Sequence, residues 1–221
     1  MDMEAADKIQ LLSAAVIPVL FAIVLHEVAH GWVARLFGDR TAEMLGRLTI
    51  NPVKHIDPMG TILVPLILTW LNLPAFGWAR PIPVSARNLR NPKRDMLYVA
   101  AAGPASNVLM ALFWTALFAV VLHGSLPLGA GRQFMLAMVQ IGITFNILLC
   151  IFNLIPIPPL DGGRVLRGLV PESLGRRLDA IEPYGFIILV ALLATGIGGS
   201  IVWPLVQQAS RAFYAMAGAS F

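Results

Sequence analysis

Long apolar runs alternate with short polar loops along the whole chain. The first run extends from Ile9 to Phe37 and carries no charge from Ile9 to Leu25. The second, Ile62 to Leu73, is short, with Pro65 inside it and Pro74 at its end. The third, Met96 to Leu122, and the fourth, Phe134 to Leu160, are both free of charge, and the fourth ends in the stretch IPIPPL. The fifth, Tyr184 to Val206, is loosened in its second half by Gly196, Gly198, Gly199 and Pro204. A helix needs about 20 mostly apolar residues to cross a bilayer. The second run, at about a dozen residues, is nearer a re-entrant or interfacial segment. The pattern therefore predicts an all-α polytopic membrane protein with four to five transmembrane helices plus a membrane re-entrant segment. No internal repeat is visible and no long linker separates two soluble units, so residues 1–221 read as a single membrane-embedded domain.

Composition supports the same class. Of 221 residues, 57% are hydrophobic and 13% charged, and the mean hydropathy is +0.76. Soluble domains are nearer half apolar and a quarter charged. Too few charges are present to cover the outside of an ordinary soluble domain, and a disordered chain or coiled coil is excluded too. A net charge of +4 would suit a nucleic-acid partner, but the basic residues sit mostly in short loops between apolar runs, where orientation charges belong. No nucleic-acid role is expected. The single cysteine, Cys150, lies inside an apolar run, so neither a disulfide framework nor a cysteine zinc cluster is available. The start MDMEAADK lacks the basic opening of a secretory signal.

Charge asymmetry bears on topology. If the second run re-enters and the N-terminus faces outward, the cytoplasmic segments hold thirteen basic residues: Arg35, Arg40, Arg47, Lys54, Arg80, Arg87, Arg90, Lys93, Arg94, Arg164, Arg167, Arg176 and Arg177. The outer face keeps three, Lys8, Arg132 and Arg211. That is strong positive-inside asymmetry, and it largely disappears if the second run spans.

The first run ends in HEVAH, residues 26–30. Residues i and i+4 share a helix face, so His26 and His30 can bind one Zn²⁺. Glu27 sits about 100° around the helix, where its carboxylate can reach a metal-bound water without ligating. Three ionisable groups directly after an uncharged apolar stretch are costly in lipid and signal function by default. Catalytic zinc takes three protein ligands, and the third must come from His55, Asp57, His123, Asp161 or the acids of the last loop. Asp161 is the best candidate. It follows the fourth run in NLIPIPPLDGG, residues 153–163, where Pro156, Pro158 and Pro159 break the helix and Gly162 and Gly163 permit an abrupt turn. Such unwound backbone at membrane depth belongs where it lines protein or a wet cavity. Under the re-entrant topology HEVAH and Asp161 both fall near the cytoplasmic ends of their helices; a spanning second run would put them near opposite faces. His55 and Asp57, in NPVKHIDPMGT, read first as a loop shaping the re-entrant segment, with His55 as a secondary metal candidate. His123 reads as an interfacial residue. The small residues of AAAGPASN, residues 100–107, suit close helix packing, and Asn107 is either interhelical glue or a polar group aimed at a site.

With HEVAH, NPVKHIDPMGT, AAGPASN and NLIPIPPLDGG in this order, the chain resembles the site-2 protease family of intramembrane zinc metalloproteases, in its compact form without a PDZ or CBS domain. The resemblance covers nearly the whole chain, to EPYGF at residues 182–186. It implies that His26, His30 and Asp161 hold one zinc ion per chain and that Glu27 is the general base. It also implies that Asn153 and Asn107 orient the substrate strand or stabilise the oxyanion. The activity implied is hydrolysis of peptide bonds in transmembrane or membrane-anchored proteins, within the lipid bilayer, by zinc-activated water. The expected location is the cell membrane, multi-pass, with the active site toward the cytoplasm. A membrane partner could supply the absent regulatory domain. A substrate helix must unwind before attack, and Gly46–Ile50, GRLTI, is expected to offer an edge for strand addition. Two competing readings are a membrane metal transporter, which gives no reason for Glu27, and a proteolytically silent substrate-binding relative.

Overall fold

In a computed structural model of the protein, residues 3–70, 77, 79–124 and 129–219 are described. Among them the ordered elements are helices, with no β-strand. Helix α1, Met3–Leu36, contains the first apolar run and HEVAH. Three helices are long and apolar enough to cross a membrane: α1 over Ile9–Leu36, α4 over Pro92–His123 and α5 over Ala130–Asn153. The short helix α2, Thr41–Met44, follows α1.

The second run forms a π-helical turn, Pro58–Leu63, that continues into α3, Val64–Trp70. Its last three residues lie outside the described ones. At about 1.5 Å per residue this described stretch falls well short of the ~30 Å hydrocarbon core. The turn signals ahead of it are both helix caps. Asn51 accepts from the Val53 N–H at the head of a 3₁₀ turn, and Asp57 accepts from Met59 and Gly60 at the head of the π turn. The fifth run is not one helix. Gly196, at φ +73°, separates α8, Gly185–Ala194, from α9, Ile197–Met216. The left-handed backbone that glycine permits ends the first helix there, so the described residues hold three candidate spans where the sequence predicts four to five.

The expected edge at Gly46–Ile50 is not extended. Gly46 turns at φ +61°, the Thr49 N–H bonds back to the Arg47 carbonyl, and the Thr49 hydroxyl caps the Asn51 N–H. These local bonds curl the segment. Residues 79–85, which form no helix and end in extended backbone at Ser85, lie against α1 instead. They do so through Ile82, buried with Val24, Val28 and Ala42.

The main core joins α4, α5 and α9 through Ala111, Trp114, Phe118, Val139, Ile143, Ile147, Val202 and Val206. Gly142 faces the Trp114 ring so closely that an added Cβ would come within 2.4 Å of it, and the two helices meet there. Large apolar side chains such as Leu12, Ile17, Leu109, Phe113 and Val120 are exposed, as lipid contact requires. This is an all-α membrane protein.

The chain leaves α5 at Asn153, passes through the turns of 154–160 and starts α6, Asp161–Leu169, which is followed by α7, Glu172–Ile181. A Cβ on Gly162 would fall 2.3 Å from the Leu154 carbonyl oxygen, and one on Gly163 2.5 Å from the Pro158 nitrogen. Both neighbours are main chain, so only glycine lets α6 fold back tightly against the proline loop. That fold-back carries Asp161 to α1.

Candidate metal centre

Three of the predicted residues meet. His26 Nε2 lies 3.1 Å from His30 Nε2. Asp161 Oδ2 stands 3.1 Å from His26 Nε2 and 3.3 Å from His30 Nε2. His26 and Asp161 are buried, and His30 nearly so. Side by side on α1, one helical turn apart, the two imidazoles present their Nε2 atoms to the same point.

The other ring nitrogens are engaged on the far side. His26 Nδ1 donates to Asn107 Oδ1 at 2.6 Å, and His30 Nδ1 donates to the Val99 carbonyl at 2.7 Å. Both acceptors belong to α4. A main-chain carbonyl can only accept. Asn107 Nδ2 is used elsewhere, on the Ala22 carbonyl at 3.2 Å and Asn146 Oδ1 at 3.0 Å, so its oxygen is what faces His26. The proton of each neutral ring is therefore fixed on Nδ1, and each Nε2 offers a lone pair.

That pattern leaves Asp161 Oδ2 buried with no N–H to accept. Two lone pairs and a carboxylate oxygen crowded within 3.3 Å repel one another unless a cation sits among them. Ligands about 2.0–2.2 Å from a tetrahedral zinc stand roughly 3.3–3.5 Å apart, close to the spacing seen. The His₂Asp donor set with its oriented imidazoles thus fits Zn²⁺. The imidazoles offer neutral nitrogens and Asp161 the negative charge that such an ion needs.

Gly103 on α4 makes room for this cluster. A Cβ there would fall 2.4 Å from His30 Nε2 and 2.6 Å from His26 Cε1. The sequence assigns the small residues of this helix to helix packing; at Gly103 what they admit is the imidazole pair.

A different set of contacts holds Glu27. Its Oε2 accepts the Ile82 N–H at 2.7 Å. The segment carrying Ile82 is fastened at several points: Arg47 donates to the Arg80 carbonyl at 2.9 Å, Arg80 N–H donates to the His55 carbonyl at 2.8 Å, and Ser85 N–H donates to Asp39 Oδ2 at 2.7 Å. Asp39, just beyond the end of α1, is 1% exposed and also accepts from the Thr41 N–H and Asn88 Nδ2.

The remaining expected residues are not among the three that converge. His55 is buried, but its Nε2 bonds the Thr49 carbonyl at 2.8 Å, and it braces the loop rather than joining the three ligands. Asp57 caps a helix, and His123 pairs with the Ala217 carbonyl. Asn107 is fully buried, with its oxygen on His26 and its nitrogen on Ala22 and Asn146. Asn153 closes α5, partly buried, with Nδ2 on the Leu149 carbonyl at 2.9 Å. Sequence reasoning misses Asn146, also fully buried. The rule that intramembrane amides need partners, applied to Asn107, points to a second polar group nearby and is the signal that could find it.

Residues 125–195, which include Asp161, match the model of Peptidase family M50. Over 201 residues the chain is 39% identical to "Putative zinc metalloprotease YwhC" of Bacillus subtilis, covering 90% of this chain and 88% of that protein. The chain belongs to peptidase family M50. Other relatives are more distant and longer: "Putative zinc metalloprotease Rip2" of Mycolicibacterium smegmatis is 30% identical over 80% of this chain and 64% of its own length. Its counterpart in Mycobacterium tuberculosis is 28% identical, over 81% and 66%. No solved structure matches the chain. Within an M50 chain, the convergence of His26, His30 and Asp161 gives the HEVAH and LDGG motifs a common location.

Proposed function

We propose that this protein is an intramembrane zinc endopeptidase that cleaves transmembrane or membrane-anchored proteins, with His26, His30 and Asp161 as the ligands of one zinc ion and Glu27 as general base. The observation that carries this reading is the meeting of two Nδ1-protonated imidazoles and one carboxylate at 3.1–3.3 Å, with a glutamate next to the first histidine on the same helix. The names of the YwhC and Rip2 relatives point to the same metal and reaction class.

Bound zinc supplies Lewis acidity toward a scissile carbonyl and lowers the pKa of a coordinated water toward ~7. Everything else falls to the chain. Glu27 Oε2 is held by the Ile82 N–H, which leaves Oε1 to take a proton from the attacking water and return it to the leaving amine. Asn153, at the last turn of α5, is assigned to the substrate backbone or the developing oxyanion. The apolar outer surface of α1 and α4 is suited to a protein that meets its substrate within the bilayer. Charge bias supports a multi-pass topology with Asp161 and HEVAH toward the cytoplasm, and a regulatory membrane partner belongs to the same reading.

The test measures zinc content and cleavage of a membrane-anchored reporter in parallel, using purified protein. Wild type is expected to hold about one zinc and to cleave; Glu27→Gln is expected to hold zinc and not cleave; Asp161→Ala is expected to lose both. Cleavage by Glu27→Gln would remove the general-base assignment. Zinc retained by Asp161→Ala would move the third ligand elsewhere.

A further inference from the structure

Behind the metal-facing side of His26 runs a chain of three side-chain hydrogen bonds through the buried core. Asn146 Nδ2 on α5 donates to the Gly142 carbonyl at 2.8 Å, Asn107 Nδ2 on α4 donates to Asn146 Oδ1 at 3.0 Å, and His26 Nδ1 on α1 donates to Asn107 Oδ1 at 2.6 Å. Both amides are 0% exposed. We propose that Asn146 is a positioning residue for the metal site, acting two hydrogen bonds away by fixing the orientation of the Asn107 amide and through it the tautomer and aim of His26.

The argument rests on which groups can turn round. A side-chain amide can flip and exchange donor for acceptor; a main-chain carbonyl cannot. Gly142 O therefore compels Asn146 to face it with nitrogen. That leaves Asn146 Oδ1 toward Asn107, where only a donor is acceptable. Ala22 O makes the same demand on the same nitrogen from α1. With both N–H bonds of Asn107 assigned, only its oxygen remains for His26. A flipped Asn107 would set its oxygen against two acceptors and its N–H against His26 Nδ1, favouring the tautomer that protonates Nε2 and abolishes the ligand. Among groups this deeply buried, each such mismatch leaves a polar atom unpaired. Outer partners of metal-bound histidines typically govern 10–100-fold in metal affinity. Asn146 hydrogen-bonds to none of the three ligands, so inspection of the ligands and their direct partners would not find it.

This inference builds on the zinc site proposed above, and the experiment separates the two. Zinc affinity is measured by chelator competition on the intact chain in detergent, with melting of the zinc-free protein as the check on folding. Asn146→Ser is the main variant: its hydroxyl can back-bond the Gly142 carbonyl within the helix but is too short to reach Asn107. It is expected to bind zinc at least about tenfold more weakly. Asn146→Asp, neutral in this buried setting, keeps a donor for Gly142 and an acceptor for Asn107 and is expected to stay within about threefold of wild type. ¹⁵N NMR of histidine-labelled, zinc-free protein adds a second readout: the Nδ1-protonated signal of His26 in wild type is expected to give way to a tautomer mixture in Asn146→Ser. Should Asn146→Ser fail to fold, Asn146→Leu takes its place with the same expectation. Wild-type affinity in the disconnecting variant, beside a weakened Asn107→Leu, would overturn the inference and end the chain at Asn107. An Asn146→Asp as weak as Asn146→Ser would also overturn it. A wild type that binds no zinc at all would instead overturn the proposed function.

Discussion

Glu27 and Ile82, 55 residues apart, are joined by a hydrogen bond from the Ile82 amide to Oε2 of the glutamate. The bond ties the carboxylate to a backbone that is itself anchored, since Arg47 grips the Arg80 carbonyl beside it. Replacing Arg47 with Met keeps most of the buried stem but releases that carbonyl. Turnover is expected to fall about tenfold, equivalent to ~1.4 kcal/mol of barrier, with zinc content unchanged. Steady-state kinetics beside zinc analysis would check this; unchanged kcat would show that Glu27 needs no such support.

Gly103→Ala crowds the imidazole pair from α4. Alanine stabilises a helix interior by about 1 kcal/mol relative to glycine, yet its Cβ would fall 2.4 Å from His30 Nε2. The crowding costs about 1–3 kcal/mol, so the variant is expected to melt lower than wild type without zinc and to bind zinc at least about tenfold more weakly. Calorimetry of the zinc-free protein together with chelator competition reads both quantities.

Gly162→Ala should act through the backbone. Its Cβ would meet the Leu154 and Ile155 carbonyl oxygens at 2.3 and 2.4 Å, and neither can move without opening the proline loop. A loss of about 1–3 kcal/mol in stability is expected, with Asp161 drawn out of the cluster. Melting temperature and zinc content should fall together.

Asp39 gives the fold an acid limit. Burial raises its carboxyl pKa, but hydrogen bonds from Thr41, Asn88 and the Ser85 amide outweigh this and hold it below the usual carboxylate range. A lowered folded-state value means stability that is complete above the unfolded value of about 4 and is lost as pH falls from there through the folded value. Asp39→Asn is expected to lower the melting temperature at pH 7 and to flatten its decline between about pH 5 and 3. Thermal scans across that range test it.

Much of the candidate site is legible in the amino-acid sequence. The i, i+4 histidines after an uncharged run, and a lone acid after three prolines and before two glycines, are local signals whose physics needs no partner to be seen. Three-dimensional requirements are not legible there. Gly103 reads as a packing residue because nothing local says that an imidazole pair will face it. Asn146 sits in an apolar run as a single polar letter, and only its distance from Asn107 gives it meaning. Gly46–Ile50 offers no edge because a left-handed glycine and two short-range hydrogen bonds curl the stretch. The fifth run is continuous in hydropathy, which does not register the backbone reversal at Gly196.

Two of the three clustered residues, His26 and His30, hydrogen-bond to α4 through Asn107 and Val99. Asp161 comes later in the chain, beyond α5. During synthesis the two histidines and their α4 partners are therefore made before the carboxylate. On the zinc reading proposed above, the site becomes complete only once α6 has been made, and the fold-back at Gly162 and Gly163 is its clasp.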